Sequence, residues 1–174
     1  MIVSCAKELC VQYDKLLDVL RVAWVEGGSM RGFRDAFSKL PALVAQLGVG
    51  RVVLDLNALP DISVYDQLWL STNFMPLLVT LPLRQAIVVL SPKRVYNHQV
   101  IEGLLMAVQL LIRFDVQFFA QADAAMQWTT DYSPRLAHLQ QEWSQHCPPT
   151  ARNTDEVAEP LPGYGLRKPP QLPS

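Results

Sequence analysis

Charge is what this 174-residue chain has little of. Only 18% of its residues are Asp, Glu, Lys or Arg, where an average soluble chain carries about 25%. Neither sign prevails: 15 basic residues stand against 16 acidic ones, for a net charge of −1. Without a basic excess there is no electrostatic footprint for a phosphate backbone, which argues against a nucleic-acid partner. Cysteine is scarce too. Cys5, Cys10 and Cys147 are an odd number with no C-x-x-C spacing. That pattern suggests neither a disulfide framework nor a zinc knuckle, and it fits a reducing cytoplasm. Long hydrophobic runs are missing. The longest, GLLMAVQLLI at 103–112, is far below the ~20 residues that cross a bilayer. The opening MIVSCAKELC is too short and too broken by charge for a signal peptide. The expectation is a cytoplasmic protein with no membrane span.

Catalytic signatures are lacking as well. There is no G-x-S-x-G, no H-E-x-x-H, no G-x-G-x-x-G and no phosphate-cradling G-x-x-x-x-G-K-[ST]. The histidines are His98, His138 and His146. His138 and Glu142 share a helix face, but a zinc site needs about three or four convergent ligands. No metal, cofactor or catalytic set is expected, and the chain reads as a non-enzyme.

What is present is apolar pattern, 50% of the residues being hydrophobic. ELCVQYD and DVLRVAWVE read as two strands joined by a short link, an antiparallel hairpin. SMRGFRDAFSKLPALVAQLG repeats Met30, Phe33, Phe37, Leu40, Val44 and Leu47 at helical spacing. Ser29 can cap this helix and Gly48 can end it, while Pro41 should kink or restart it. RVVLDLNAL and RQAIVVLS read as buried central strands. SVYDQLWLSTNFMPLLVTL reads as a helix kinked at Pro76, and VYNHQVIEGLLMAVQLLIRF as a helix apolar almost all round. DVQFFAQ is a last strand and ADAAMQWTTD a short helix. The order β-β-α-β-α-β-α-β-α implies an α/β fold: a mixed, mostly parallel sheet with an N-terminal hairpin and covering helices. Leu54, Leu56, Ile87, Val89, Phe37 and Leu105 are expected to share one core.

Three regions emerge from these changes of character. Residues 1–131 form the α/β domain. Residues 132–147 carry an appended amphipathic helix with Leu136, Leu139 and Trp143 on one face. Residues 148–174 hold seven prolines with almost no apolar pattern and read as a disordered tail. The R-x-x-P-x-x-P spacing near the end reads as linker. The appended helix should dock near 104–112, where the long helix has more apolar surface than one sheet face can cover. That surplus must meet the tail helix, a second subunit or an apolar ligand.

The joint after the central strand gathers the polar residues. Ser63 and Asp66 form an S-x-x-D relative of the capping box, and Asp66 suits the positive end of a helix. Asp61 lies just ahead. An aspartate in place of Ser63 should cap equally well. Position supplies a second reading, since ligands of open α/β sheets sit beyond the carboxyl ends of parallel strands. Asp55, Asn57, Ser91 and Asn97 lie at such ends and would form a polar rim. EGGSMRGFR, at 26–34, is either a tight turn with a cap or a backbone cradle for an anion.

VVLDLNAL, then ISVYDQLWLSTNFMPLL, then QAIVVLS also resembles the SpoIIAA-like STAS proteins, most of all their short, stand-alone, uncharacterised kind from Bacteroidetes. The residues carrying the resemblance are Asp55 closing the strand, then Asp66, Trp69, Leu70 and Pro76, with VAWVEGG before the first helix. It covers roughly 8–131. It implies the fold, and a regulatory module that binds a protein partner; self-association is a further expectation, from the surplus apolar surface of the long helix. STAS anti-sigma-factor antagonists carry a phosphoserine site at the helix head. Here Ser63 is the one hydroxyl so placed, and the glycine next to it in those proteins is missing. The alternative expectation is a carrier or sensor of a small apolar or lipid-like molecule.

Overall fold

The computed structural model describes residues 1–147. The proline-rich region expected over 148–174 lies outside the described residues.

Two strands open the chain, β1 (Leu9–Asp14) and β2 (Val19–Trp24), paired antiparallel with Leu9 opposite Trp24. Asp14 fixes their turn by accepting from the Leu17 N–H at 2.9 Å. Then come α1 (Phe33–Leu47), β3 (Arg51–Asp55), α2 (Val64–Trp69), α3 (Met75–Leu78) and β4 (Gln85–Val89). The chain continues through α4 (Val95–Ala107), β5 (Asp115–Phe119), α5 (Ala122–Thr129) and α6 (Arg135–His146). The sheet order is β1-β2-β3-β4-β5, and every pair after the first is parallel. The α/β class and the mostly parallel sheet agree with the sequence pattern.

This order has a consequence for the layers. Each parallel strand is laid beside the last in one direction, and crossovers of this kind share one hand. All three crossovers therefore fall on the same face. α1, the α2–α3 segment and α4 cover Leu20, Val22, Trp24, Leu54 and Val88. The opposite face, with Val19, Val53, Ile87 and Val89, is left for α5 and α6.

Two expectations are corrected here. Leu54, Phe37 and Leu105 belong to the first layer, whereas Ile87 and Val89 belong to the second. A strand alternates faces with period two, so a continuous apolar run feeds both layers. The appended helix α6 does dock, with Leu136, Leu139 and Trp143 buried. It does so across the sheet from α4, because α4's layer already holds the three crossovers.

A third correction concerns cysteine. Cys10 of β1 and Cys147 after α6 form a disulfide across a sequence separation of 137. Their spacing carries no motif because the fold, not the local sequence, brings them together. Cys5 stays free and partly buried.

Local details differ in instructive ways. α1 runs through Pro41 rather than restarting there and ends at Gly48, which is left-handed at φ 62°. Ser29 caps a short 3-10 turn (Met30–Gly32) ahead of α1. The expected single helix over Pro76 is divided by a π-turn, Leu70–Phe74. There Met75 donates to the Leu70 carbonyl, which widens the turn ahead of a proline that has no N–H to give. α4 stops at Ala107, seven residues before Phe114, and turns fill 108–111. Among the described residues no helix is long and apolar enough to cross a membrane.

Candidate functional site

The polar residues at the strand ends meet one another and the backbone. Asp55 closes β3 with its side chain buried beneath the second layer. It accepts from the Asn57 N–H at 3.0 Å. Burial pushes its carboxyl above the usual range, against the Asn57 N–H and the Arg21 charge. Asn57 accepts from the Ser91 N–H at 2.6 Å and donates to the Ala120 carbonyl at 3.4 Å. One amide thereby ties the ends of β3, β4 and β5. The Ser91 hydroxyl accepts from the Lys93 N–H at 3.3 Å.

Asn97 is fully buried on α4. It accepts from the Ile62 N–H at 3.0 Å and donates to the carbonyls of Leu59 and Pro60 at 3.2 and 3.0 Å. Its role is to hold the 59–62 loop. The rim residues thus spend their hydrogen bonds on the loops that carry them.

Ser63 and Asp66 cap α2 reciprocally. The Ser63 hydroxyl accepts from the Asp66 N–H at 3.1 Å and donates to the Asp66 carboxylate at 2.8 Å. Asp66 also meets Arg34 Nε at 2.8 Å, which ties α2 to α1. Asp61 is exposed and pairs with Arg94 at 3.4 Å. Gly27, at φ 74°, and Gly28, hard against Trp24, shape the turn before Ser29. The 26–34 stretch is a turn with a cap, as one of its two readings has it.

Beneath this rim lies the feature with room for a ligand. An apolar cavity of about 110 Å³ separates the first sheet face from α1, the π-turn, α3 and α4. Its floor is Leu54 and Ala86, its walls are Phe37, Phe74, Leu78 and Leu104. Leu54 and Ala86, on the inner strands, and Leu104, on α4, are only partly buried. α3, only four residues long, does not close against α4 over them. Past the end of α4, Leu110 is 94% exposed, and Leu111, Met106 and Leu77 are exposed too.

The second layer holds buried charge that sequence patterning did not reveal. Arg21 is buried on β2 and stacks 3.9 Å from the centre of the Trp143 ring. Burial lowers its pKa, and the charges of Asp123 and Asp55 oppose that. In the sequence Arg21 looks like an outward residue of a half-exposed strand. The docking of α6 lays Trp143 over it. No group of three or more His, Cys, Asp or Glu residues is arranged to hold a metal among the described residues.

Comparison of the chain with protein-family models, with curated proteins and with solved structures finds no match.

Proposed function

We propose that this is a non-enzymatic binding module, of the SpoIIAA-like STAS kind its sequence resembles, that takes an apolar, lipid-like group between its sheet and α4. The observation that carries this reading is the apolar cavity whose floor, Leu54 and Ala86, stays partly accessible. Cores are ordinarily packed to crystal density, and an unfilled apolar space costs stability in proportion to its volume. At about 110 Å³ the space is smaller than the ~150 Å³ cavity that holds benzene. It suits the end of a chain or one branched side chain. A dansyl-labelled medium-chain fatty acid tests the reading by fluorescence titration. Saturable binding to the full chain, lost in Leu54→Trp, supports it. Equal binding by the two proteins contradicts it.

A second reading, a docking face for a protein partner or another copy, is favoured by Val64, Tyr65 and Leu68. All three are exposed on one short helix, beside Tyr96, to which Gln67 donates at 2.8 Å. Tyr65→Glu combined with Leu68→Glu should then abolish co-purification of that partner, or self-association seen by sedimentation, and leave fatty-acid binding intact.

A further inference from the structure

A second recess lies at the edge of the sheet, away from the apolar cavity. Residues 4–8 approach the Met30–Gly32 turn and the start of α1, and an open cleft of about 720 Å³ lies between them. That size is in the ~300–1,000 Å³ range of small-molecule sites. Its charged lining is Lys7, Glu8, Arg31, Asp35 and Lys39.

Glu8 is the unusual member. It is only 4% exposed, and its Oε1 is shut from solvent without a hydrogen-bond partner among the described residues. The nearest cation, Lys7 Nζ, is 3.7 Å away on a side chain that is itself 87% exposed. A buried carboxylate without a donor is costly. The fold nevertheless makes room for it. Gly32 has φ −88° and ψ −1°, a conformation open to any residue, so the backbone does not demand glycine. Space does: a Cβ at Gly32 would lie 2.1 Å from Glu8 Oε1. The missing side chain at position 32 is what lets this carboxylate sit at the cleft.

The other charges are unevenly matched. Lys39 is held by Asp35 at 2.6 Å. Arg31 is exposed, and its guanidinium has no hydrogen bond or ion pair among the described residues. The lining of the cleft therefore holds a carboxylate with no hydrogen-bond donor and a guanidinium with no anion among the described residues. Cys5 also lines it, but burial raises its thiol pKa, so it contributes a neutral wall and no nucleophile.

We infer that this cleft binds a small zwitterion of the amino-acid type, its ammonium donating to Glu8 and its carboxylate paired with Arg31. Charge-assisted hydrogen bonds of both kinds are the strong ones, and guanidinium forks match carboxylates. The test is a set of ¹H–¹⁵N correlation spectra of the full chain, titrated in turn with each proteinogenic L-amino acid. At least one should shift the amides of 4–8 and 29–35 saturably. Its affinity should fall about tenfold or more in Glu8→Gln and in Arg31→Ala. Removing its carboxylate, by using the decarboxylated amine, should weaken it comparably. Should Glu8→Gln fail to fold, Arg31→Ala still decides, because that side chain is exposed. No saturable shift with any amino acid overturns the inference. So does unchanged affinity in Arg31→Ala, or an amine that binds as tightly as its parent.

Discussion

Leu20 and Leu54 sit on neighbouring strands of the same sheet face and both line the cavity, yet they differ in exposure. Leu20 is fully buried, whereas Leu54 is half-open on the cavity floor. Leu20→Ala should cost about 2–5 kcal/mol, the usual range for a packed leucine. Leu54→Ala should cost less than half as much, because part of its surface already faces empty space. Urea unfolding of the two variants checks the difference, and equal losses would mean that Leu54 is packed as tightly as Leu20. Ser63 poses a second question at this scale. Its hydroxyl both accepts from and donates to Asp66, and an aspartate cannot donate when ionised. Ser63→Thr should keep the cap. Ser63→Ala should lose about 1 kcal/mol, and Ser63→Asp should lose stability too, since it sets two carboxylates together. This differs from the neutral exchange expected of an ordinary cap, because capping statistics see only the accepted N–H. Unfolding midpoints that match for Ser63→Asp and Ser63→Thr would contradict the reciprocal geometry.

Elements were legible in the sequence where one periodicity ruled. β1, β2, α1 and β3 lie close to where alternation and the 3.6-residue repeat place them. The π-turn was not legible, because a proline marks a disturbance of a helix but not how the turns before it absorb the change. Nor was the early end of α4. Its residues stay mostly apolar to Ile112, yet the chain leaves the helix at Ala107 and then brings Asp115 beside Gln85. Residue spacing likewise showed that α6 has a buried face but not which surface receives it. Once docked, α6 is held by polar contacts at both ends. Arg135 meets the buried Asp14 at 2.6 Å, and Gln12 donates to the Leu139 carbonyl at 2.9 Å and to Glu142 at 2.6 Å. Burial works to raise the Asp14 carboxyl, but the Leu17 N–H and Arg135 outweigh it and hold it below its ordinary value. A carboxylate lowered by folding stabilises the fold above its unfolded-state pKa, and that contribution fades as pH falls through the folded one. The chain should therefore lose stability on the acid side of the carboxylate range. Asp14→Asn should flatten that loss while lowering stability at neutral pH. Thermal melts from pH 7 to pH 3 (about the span of carboxylate titration) read both effects. An unchanged acid slope in Asp14→Asn would assign the loss to other carboxylates.

For the whole molecule, the sheet order decides what each layer can do. Three crossovers on one face leave the other to be covered by the helices after β5, so α6 completes the fold rather than decorating it. The Cys10–Cys147 bond then closes nearly the whole described chain into one loop. Closing so long a loop restrains the unfolded chain by about 2–5 kcal/mol. Reduction, or Cys10→Ser, should lower the unfolding free energy in that range. A chain equally stable with and without reductant would show the bond to be absent or without consequence. The candidate rim was legible by position, as residues after strand ends, because topology fixes where strand ends lie. The cavity was legible only as surplus apolar surface on α4. Whether such a surplus meets a neighbour or encloses space depends on the shortness of α3, which spacing does not encode. The most direct measurement is a crystal structure of the full chain grown with a bromine-tagged dodecanoate, the bromine located by its anomalous signal. The expected result is bromine or chain density between Leu54, Ala86 and Leu104. A slot closed by α3 and α4, with the fatty acid elsewhere or absent, would contradict the proposed function.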